Sequence, residues 1–267
     1  MPIFAANVRY LFTELDFLDR FEAAARLGFR GVEYQYPYDQ SAKSIRRRLR
    51  DCELAMVLIN LPVGEDEASR AGFACLPDRQ REFRDSVDEG LRLARELGCT
   101  KVNCLAGIEP AGVSRLGWYK TLVDNLAYAA DRFAPYGISV MLEPLNLLDV
   151  PGYCLSSSSA ARETILEVGA PNLKLQYDVY HMQIMEGDLA RNIETNADLI
   201  GHVQIADNPG RHEPGTGEIS FSYIFDLLDR LEYAGWISCE YVPSDGTHNS
   251  FEWARPYLLA RQLPMDG

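Results

Sequence analysis

Four apolar runs in the second half of this 267-residue chain end on side chains that carry oxygen ligands. Glu143 follows the run Ser139–Leu142, and Asp178 follows Lys174–Tyr177. Gln204 stands within His202–Ile205 with Asp207 just beyond, and Glu240 follows Ile237–Cys239. Glu33 and Asn103 occupy similar places earlier in the chain. A carboxylate at the end of a buried run is destabilising by several kcal/mol unless it is paired or metal-bound. Lys174 and Arg211 are the nearest basic residues. A divalent cation resolves the imbalance, and the oxygen set Glu143, Asp178, Gln204 and Glu240 favours Mg²⁺ or Mn²⁺ over zinc. Each acid taken singly reads equally well as a helix cap or half of an ion pair. Recurrence at four consecutive run ends argues for a shared ligand.

Two further residues stand beside these acids. His181 lies three positions past Asp178 in DVYHMQ, on an expected loop. There it either donates to a substrate oxygen or satisfies a core carbonyl. Arg211 sits in the turn-rich segment Asp207–Glu218. It is the candidate to hold a substrate carboxylate through a bidentate pair, the alternative being a solvated loop arginine.

The elements that must position these groups follow from one recurring unit: an amphipathic helix, a glycine, then a short apolar run. It is seen in FEAAARLGFRGVEY, LARELGCTKVNCL, FAPYGISVMLE, VGAPNLKLQYD, ADLIGHVQIAD and LEYAGWISCEY. The glycine suits a helix end that needs positive φ, and the run suits a strand buried on both faces. Strands are expected near Ile3–Ala6, Gly31–Tyr34, Ala55–Asn60, Lys101–Leu105, Ser139–Leu142, Lys174–Tyr177, His202–Ile205 and Ile237–Cys239. Helices are expected at Asp16–Leu27, Ser41–Asp51, Asp78–Leu97, Gly117–Ala134, Ser157–Val168, Leu189–Asp198, Phe221–Leu231 and Ser250–Ala260, with Asp78, Ser157 and Ser250 as first-turn or capping residues. Eight such pairs make an α/β chain that closes as a (β/α)₈ TIM barrel, a single domain over residues 1–267. An open doubly wound sheet would usually carry a glycine-rich turn after its first strand; Ala5–Tyr10 has none.

The formal net charge of -13 argues against nucleic-acid and membrane-surface partners. No run of about 18 apolar residues exists, and Met1–Tyr10 lacks the pattern of a signal peptide. The six cysteines form no C-x-x-C pair, so a reduced cytoplasm is expected and a cysteine zinc site is not. The expected partner is a small molecule; a homo-oligomer is compatible with the sequence.

The stretches FAANVRYLFTE, GFRGVEYQYPYD, EPLNLLDVPGY, NLKLQYDVYHMQ, GHVQIADNPGRHEPGTGEI and GWISCEYVP resemble the hydroxypyruvate isomerase family, one of the xylose isomerase-like barrels. The similarity spans nearly the whole chain. It implies a metal held by Glu143, Asp178, Gln204 and Glu240, with Glu143 and Glu240 as catalytic acid and base. It implies that His181 and Arg211 contact substrate oxygens. The implied reaction interconverts hydroxypyruvate and tartronate semialdehyde through an enediolate. Leu148 stands where the family pattern carries an arginine, and the segment Leu61–Arg79 departs from the usual form. Both departures leave open a related sugar or a four-carbon keto acid such as 2-oxo-tetronate, by isomerisation or epimerisation, and a lyase of the inosose dehydratase type. A DNA repair nuclease on this fold would need several metals and a basic groove, against four histidines and a net charge of -13.

Overall fold

A computed structural model of the chain describes residues 3–259. Eight parallel strands close in sequence order: β1 (Ile3–Asn7), β2 (Gly31–Glu33), β3 (Ala55–Asn60), β4 (Lys101–Asn103), β5 (Ser139–Leu142), β6 (Leu173–Asp178), β7 (Ile200–Ile205) and β8 (Trp236–Cys239), with β8 pairing back onto β1. The helices are α1 (Asp19–Arg26), α2 (Ala42–Asp51), α3 (Gln80–Leu97), α4 (Arg115–Phe133), α5 (Ser158–Val168), α6 (Val179–Met185), α7 (Leu189–Asn196), α8 (Phe221–Arg230), α9 (Gly246–Asn249) and α10 (Arg255–Leu259). This is the expected (β/α)₈ barrel. No described helix is long and apolar enough to cross a membrane.

Local chemistry accounts for most boundaries. The Ser157 side chain accepts from Ala160 N–H and caps α5, as expected. Gly98 and Gly169 end α3 and α5 in the left-handed region, at φ 69° and 68°. Asp78 instead lies in a 3₁₀ turn, Pro77–Arg79, that precedes α3. The expected last helix, Ser250–Ala260, is broken: Ser250 follows the C-terminus of α9, a 3₁₀ turn spans Glu252–Ala254, and α10 begins at Arg255 with Pro256 in its first turn. Ala260 lies outside the described residues.

One correction concerns the strand faces. Buried runs were expected to be apolar on both sides, and the helix-facing side is: Phe4, Val32, Val102, Leu142, Leu175, Tyr177, Val203 and Ile237 join the main core. The inward side is largely polar. Asn7, Glu33, Asn103, Gln176, Asp178, His202, Gln204 and Ser238 are buried there, and hydrogen bonds cross the barrel between β7 and β2. Ala5, Val57, Leu58 and Met141 with Trp236 form a small separate apolar cluster. At Gly31 a Cβ would stand 2.6 Å from Val57 and 2.9 Å from Trp236, so only glycine fits.

Candidate active site

At the C-terminal ends of the strands the polar residues converge. On one wall, β5 delivers Glu143 and β6 delivers Asp178. Asn103, at the end of β4, donates to Glu143 Oε2 at 2.7 Å. Asp178 Oδ1 accepts from Tyr180 N–H at 2.8 Å and His181 N–H at 3.3 Å, capping α6. That helix was expected to be a loop. Seven residues are too few for apolar periodicity to reveal a helix, and the cap was the one usable signal.

His181 therefore stands on the first turn of α6, with Nε2 3.6 Å from Asp178 Oδ2. Its Nδ1 faces the N–H of Asn146 at 3.2 Å and Asn146 Nδ2 at 2.6 Å. Both neighbours are donors, so Nδ1 accepts and the ring proton resides on Nε2. Burial depresses the imidazole to about 4, so the ring is neutral near pH 7. Ligand atoms of Glu143, Asp178 and His181 all lie within 4.8 Å of one another; with Nε2 protonated and Nδ1 engaged by Asn146, the two carboxylates are what this grouping offers a metal ion.

The facing wall comes from β1, β2, β7 and β8. Asn7 Nδ2 donates to Glu33 Oε1 at 2.8 Å and to Glu240 Oε2 at 3.1 Å. Gln35 Nε2 reaches Glu240 Oε2 at 2.9 Å. Gln204 Nε2 donates to Glu33 Oε1 at 2.5 Å and to Glu240 Oε2, while Gln204 Oε1 accepts from Gln176 at 2.7 Å. Arg211 Nη2 donates to Glu240 Oε1 at 2.8 Å. Burial raises Glu240 well above the usual carboxylate range, with Arg211 pulling the other way. Burial also raises Glu143, reinforced by the charges of Glu240 and Asp178. Glu33 is pushed up to about 7, again by burial.

The expected ligands thus fall on two walls. Glu143 and Asp178 stand together beside His181, whereas Gln204 presents its amide nitrogen to Glu33 and Glu240. Binding through Oε1 requires the Gln204 amide to turn over, which exchanges its donor and acceptor ends. The oxygen-rich donor set fits a hard divalent cation. Burial makes ionisation of Glu143 and Glu240 unfavourable, and a divalent cation held by these residues would offset that cost.

Arg211 sits at φ 52°, an uncommon conformation for an arginine, and Asp207 holds its loop there. The Asp207 carboxylate accepts from the backbone N–H groups of Asn208, Gly215, Gly217 and Ile219 at 2.8–3.1 Å. Asp207 is spent on folding this loop. Gly217 approaches so closely that a Cβ would stand 2.0 Å from Asn208 O. The guanidinium packs over Tyr180 at 4.9 Å and Tyr10 at 5.4 Å. Several participants were not singled out in sequence: Asn7, Gln35, His202, Gln176 and Asn146. The run-end rule that found Glu143 would also have found Asn7, the last residue of β1.

Comparison with known proteins gives a consistent picture. A family profile described as xylose isomerase-like TIM barrel matches residues 21–257. Hydroxypyruvate isomerase from Escherichia coli (strain K12) is 48% identical over 254 residues, covering 95% of this chain and 98% of its own length. A 2-oxo-tetronate isomerase from Cupriavidus necator is 43% identical, covering 97% and 99%. A crystal structure described as AP endonuclease, family 2, from Brucella melitensis superposes with a TM-score of 0.93 at 43% identity, covering 96% of this chain and 99% of that one.

Proposed function

This chain belongs to the xylose isomerase-like TIM barrel family, and from that premise we propose that it isomerises a small hydroxy-keto acid, hydroxypyruvate in the first place, to the corresponding hydroxy-aldehyde. The observation that carries the reading is the electrostatic pairing of Glu143 with Glu240 in one buried polar cluster at the strand ends, with Asp178, His181 and Arg211 around it. Two curated relatives are isomerases of hydroxypyruvate and of 2-oxo-tetronate, and both substrate names suit this site.

The reaction moves a hydrogen between adjacent carbons. One glutamate of the pair removes the proton next to the carbonyl, and the other delivers a proton to the neighbouring carbon. A positioned carboxylate contributes about 10²–10⁴-fold to such a transfer. Burial raises both groups above the usual carboxylate range, which makes each a stronger base when ionised. His181, neutral with its proton on Nε2, donates a hydrogen bond to a substrate oxygen. Arg211 holds Glu240 and borders the substrate. Glu143, Asp178, Gln204 and Glu240 would hold Mg²⁺ or Mn²⁺, which when bound supplies Lewis-acid polarisation of the carbonyl. Six free cysteines, four of them buried, fit a reducing compartment such as the cytoplasm.

The nuclease name of the Brucella structure is not carried over. Among the described residues a single group meets the requirements for holding a metal, and the charge of -13 opposes a phosphate backbone.

The test is conversion of hydroxypyruvate in deuterated water, with 2-oxo-tetronate and a ketose panel alongside. Deuterium should enter the carbon beside the carbonyl. Chelation should abolish turnover, and Mg²⁺ or Mn²⁺ should restore it. Turnover undiminished after exhaustive chelation would refute the metal assignment, and absence of exchange with every keto acid would refute the reaction.

A further inference from the structure

We propose that Arg9, rather than Arg211, is the residue that selects the substrate carboxylate; the proposal rests on the hydroxy-keto-acid reading above. Arg9 follows β1 by two residues, and its backbone N–H donates to Asn7 Oδ1 at 3.1 Å. Asn7 is the residue that bridges Glu33 and Glu240, so the Arg9 backbone is tied directly to the site. Its guanidinium lies 5.2 Å from the Tyr36 ring and 6.0 Å from the Tyr10 ring. Both phenols lie within electrostatic reach of the site's glutamates, Glu143 and Glu240, and each is raised chiefly by burial. Tyr36 is further fixed by Asn60 Nδ2, which donates to its hydroxyl at 3.3 Å.

Two guanidiniums therefore share Tyr10, and they differ in what else they hold. Arg211 is committed, to Glu240 at 2.8 Å and to Asp149 at 3.4 Å. Using it for the substrate would release Glu240, a buried carboxylate that the proposed chemistry needs in place. Arg9 has ring contacts but no carboxylate partner among the described residues. Its fork of N–H donors is open, and two aromatic faces restrict its freedom, which lowers the entropy lost when it takes a carboxylate bidentately. An anionic substrate approaching Glu33, Glu143, Asp178 and Glu240 also needs a counter-charge outside that cluster. Arg9 supplies one at the rim, with the carboxylate held toward β1 and β2 and the reacting carbons toward Glu143 and Glu240.

The test compares Arg9→Met and Arg9→Lys with the wild-type protein on two substrates that differ at one end: hydroxypyruvate, and dihydroxyacetone, in which CH₂OH replaces the carboxylate. A calorimetric titration with D-glycerate, which carries the carboxylate but no carbonyl, accompanies them. Arg9→Met should raise KM for hydroxypyruvate and Kd for glycerate by about tenfold or more, the loss of one charge-assisted pair. The turnover number should stay within about threefold and KM for dihydroxyacetone should not move; Arg9→Lys should recover part of the loss. Unchanged glycerate affinity in Arg9→Met, equal KM changes for both substrates, or no glycerate binding to the wild-type protein would each overturn the assignment. The glycerate titration decides Arg9 even where the wild-type protein isomerises no hydroxy-keto acid, an outcome that overturns the functional reading instead.

Discussion

On the wall built by β5 and β6, Glu143 takes a hydrogen bond from Asn103, and Asp178 spends one oxygen on two backbone N–H groups of α6. Across the barrel, Glu240 is approached by Asn7, Gln35, Gln204 and Arg211, and Glu33 by Asn7, Gln204 and His202. The first wall has acceptor oxygens to spare; the second is nearly saturated with donors. A cation gains most where carboxylates lack other partners, so the β5–β6 wall should dominate its binding. On the proposed reading, the donor-rich wall fixes one carboxylate in position for proton transfer.

Exchanging the two glutamates for amides gives the largest expected effect and the sharpest test of that asymmetry. Glu143→Gln and Glu240→Gln should each lower the turnover number by about 10²–10⁴-fold, since each removes half of an acid–base pair. Their metal affinities should diverge. Glu143→Gln takes charge from the donor-poor wall and should weaken Mn²⁺ binding by more than tenfold, whereas Glu240→Gln should weaken it less. Mn²⁺ titration of both variants, with circular dichroism to verify folding, measures this. Equal losses of affinity would erase the distinction between the walls.

How much of this was legible in the chain depends on the scale of the signal. Glycine-punctuated helix–strand units announced the barrel because helix C-termini such as Gly98 and Gly169 need positive φ and the helix-facing strand residues are uniformly apolar. Run-end acids announced Glu143, Asp178 and Glu240, because a charge beside a buried run demands a reason. The donor network stayed hidden. Whether Gln204 offers its nitrogen or its oxygen depends on Gln176, Glu33 and Glu240, residues 28, 171 and 36 positions away along the chain. Likewise the proton position on His181 is decided by Asn146, 35 positions earlier. Such choices are made by neighbours the fold brings together, and no local pattern encodes them.

A smaller effect is expected where the donor-rich wall depends on a loop. Arg211 keeps its positive φ because Asp207 gathers four backbone N–H groups beneath it. Asp207→Asn replaces one accepting oxygen with a donor and leaves two of those N–H groups facing it. Buried donors left unmatched cost about 1–3 kcal/mol each, enough to let the loop relax and Arg211 release Glu240. The catalytic efficiency kcat/KM should fall about 10- to 100-fold while Mn²⁺ affinity, governed by the opposite wall, stays near that of the wild-type protein. Parallel loss of metal affinity would show that the two walls are not separable.

The smallest effect is expected at Leu148, where the resemblance leads to the expectation of an arginine. The residue is 78% exposed, and its backbone N–H is held by Asn146 Oδ1 at 3.0 Å, in the loop that also positions His181. A side chain directed to solvent there adds charge without adding a contact, and exposed charges are screened within about 10 Å at 0.1 M ionic strength. Leu148→Arg should therefore change KM for hydroxypyruvate or 2-oxo-tetronate by less than about threefold, chiefly through faster encounter with an anion, and the change should vanish at high salt. A tenfold, salt-independent fall in KM would mean that the loop after β5 turns inward over the substrate. The cationic end of the site would then lie beside the donor-poor wall, not at Arg9.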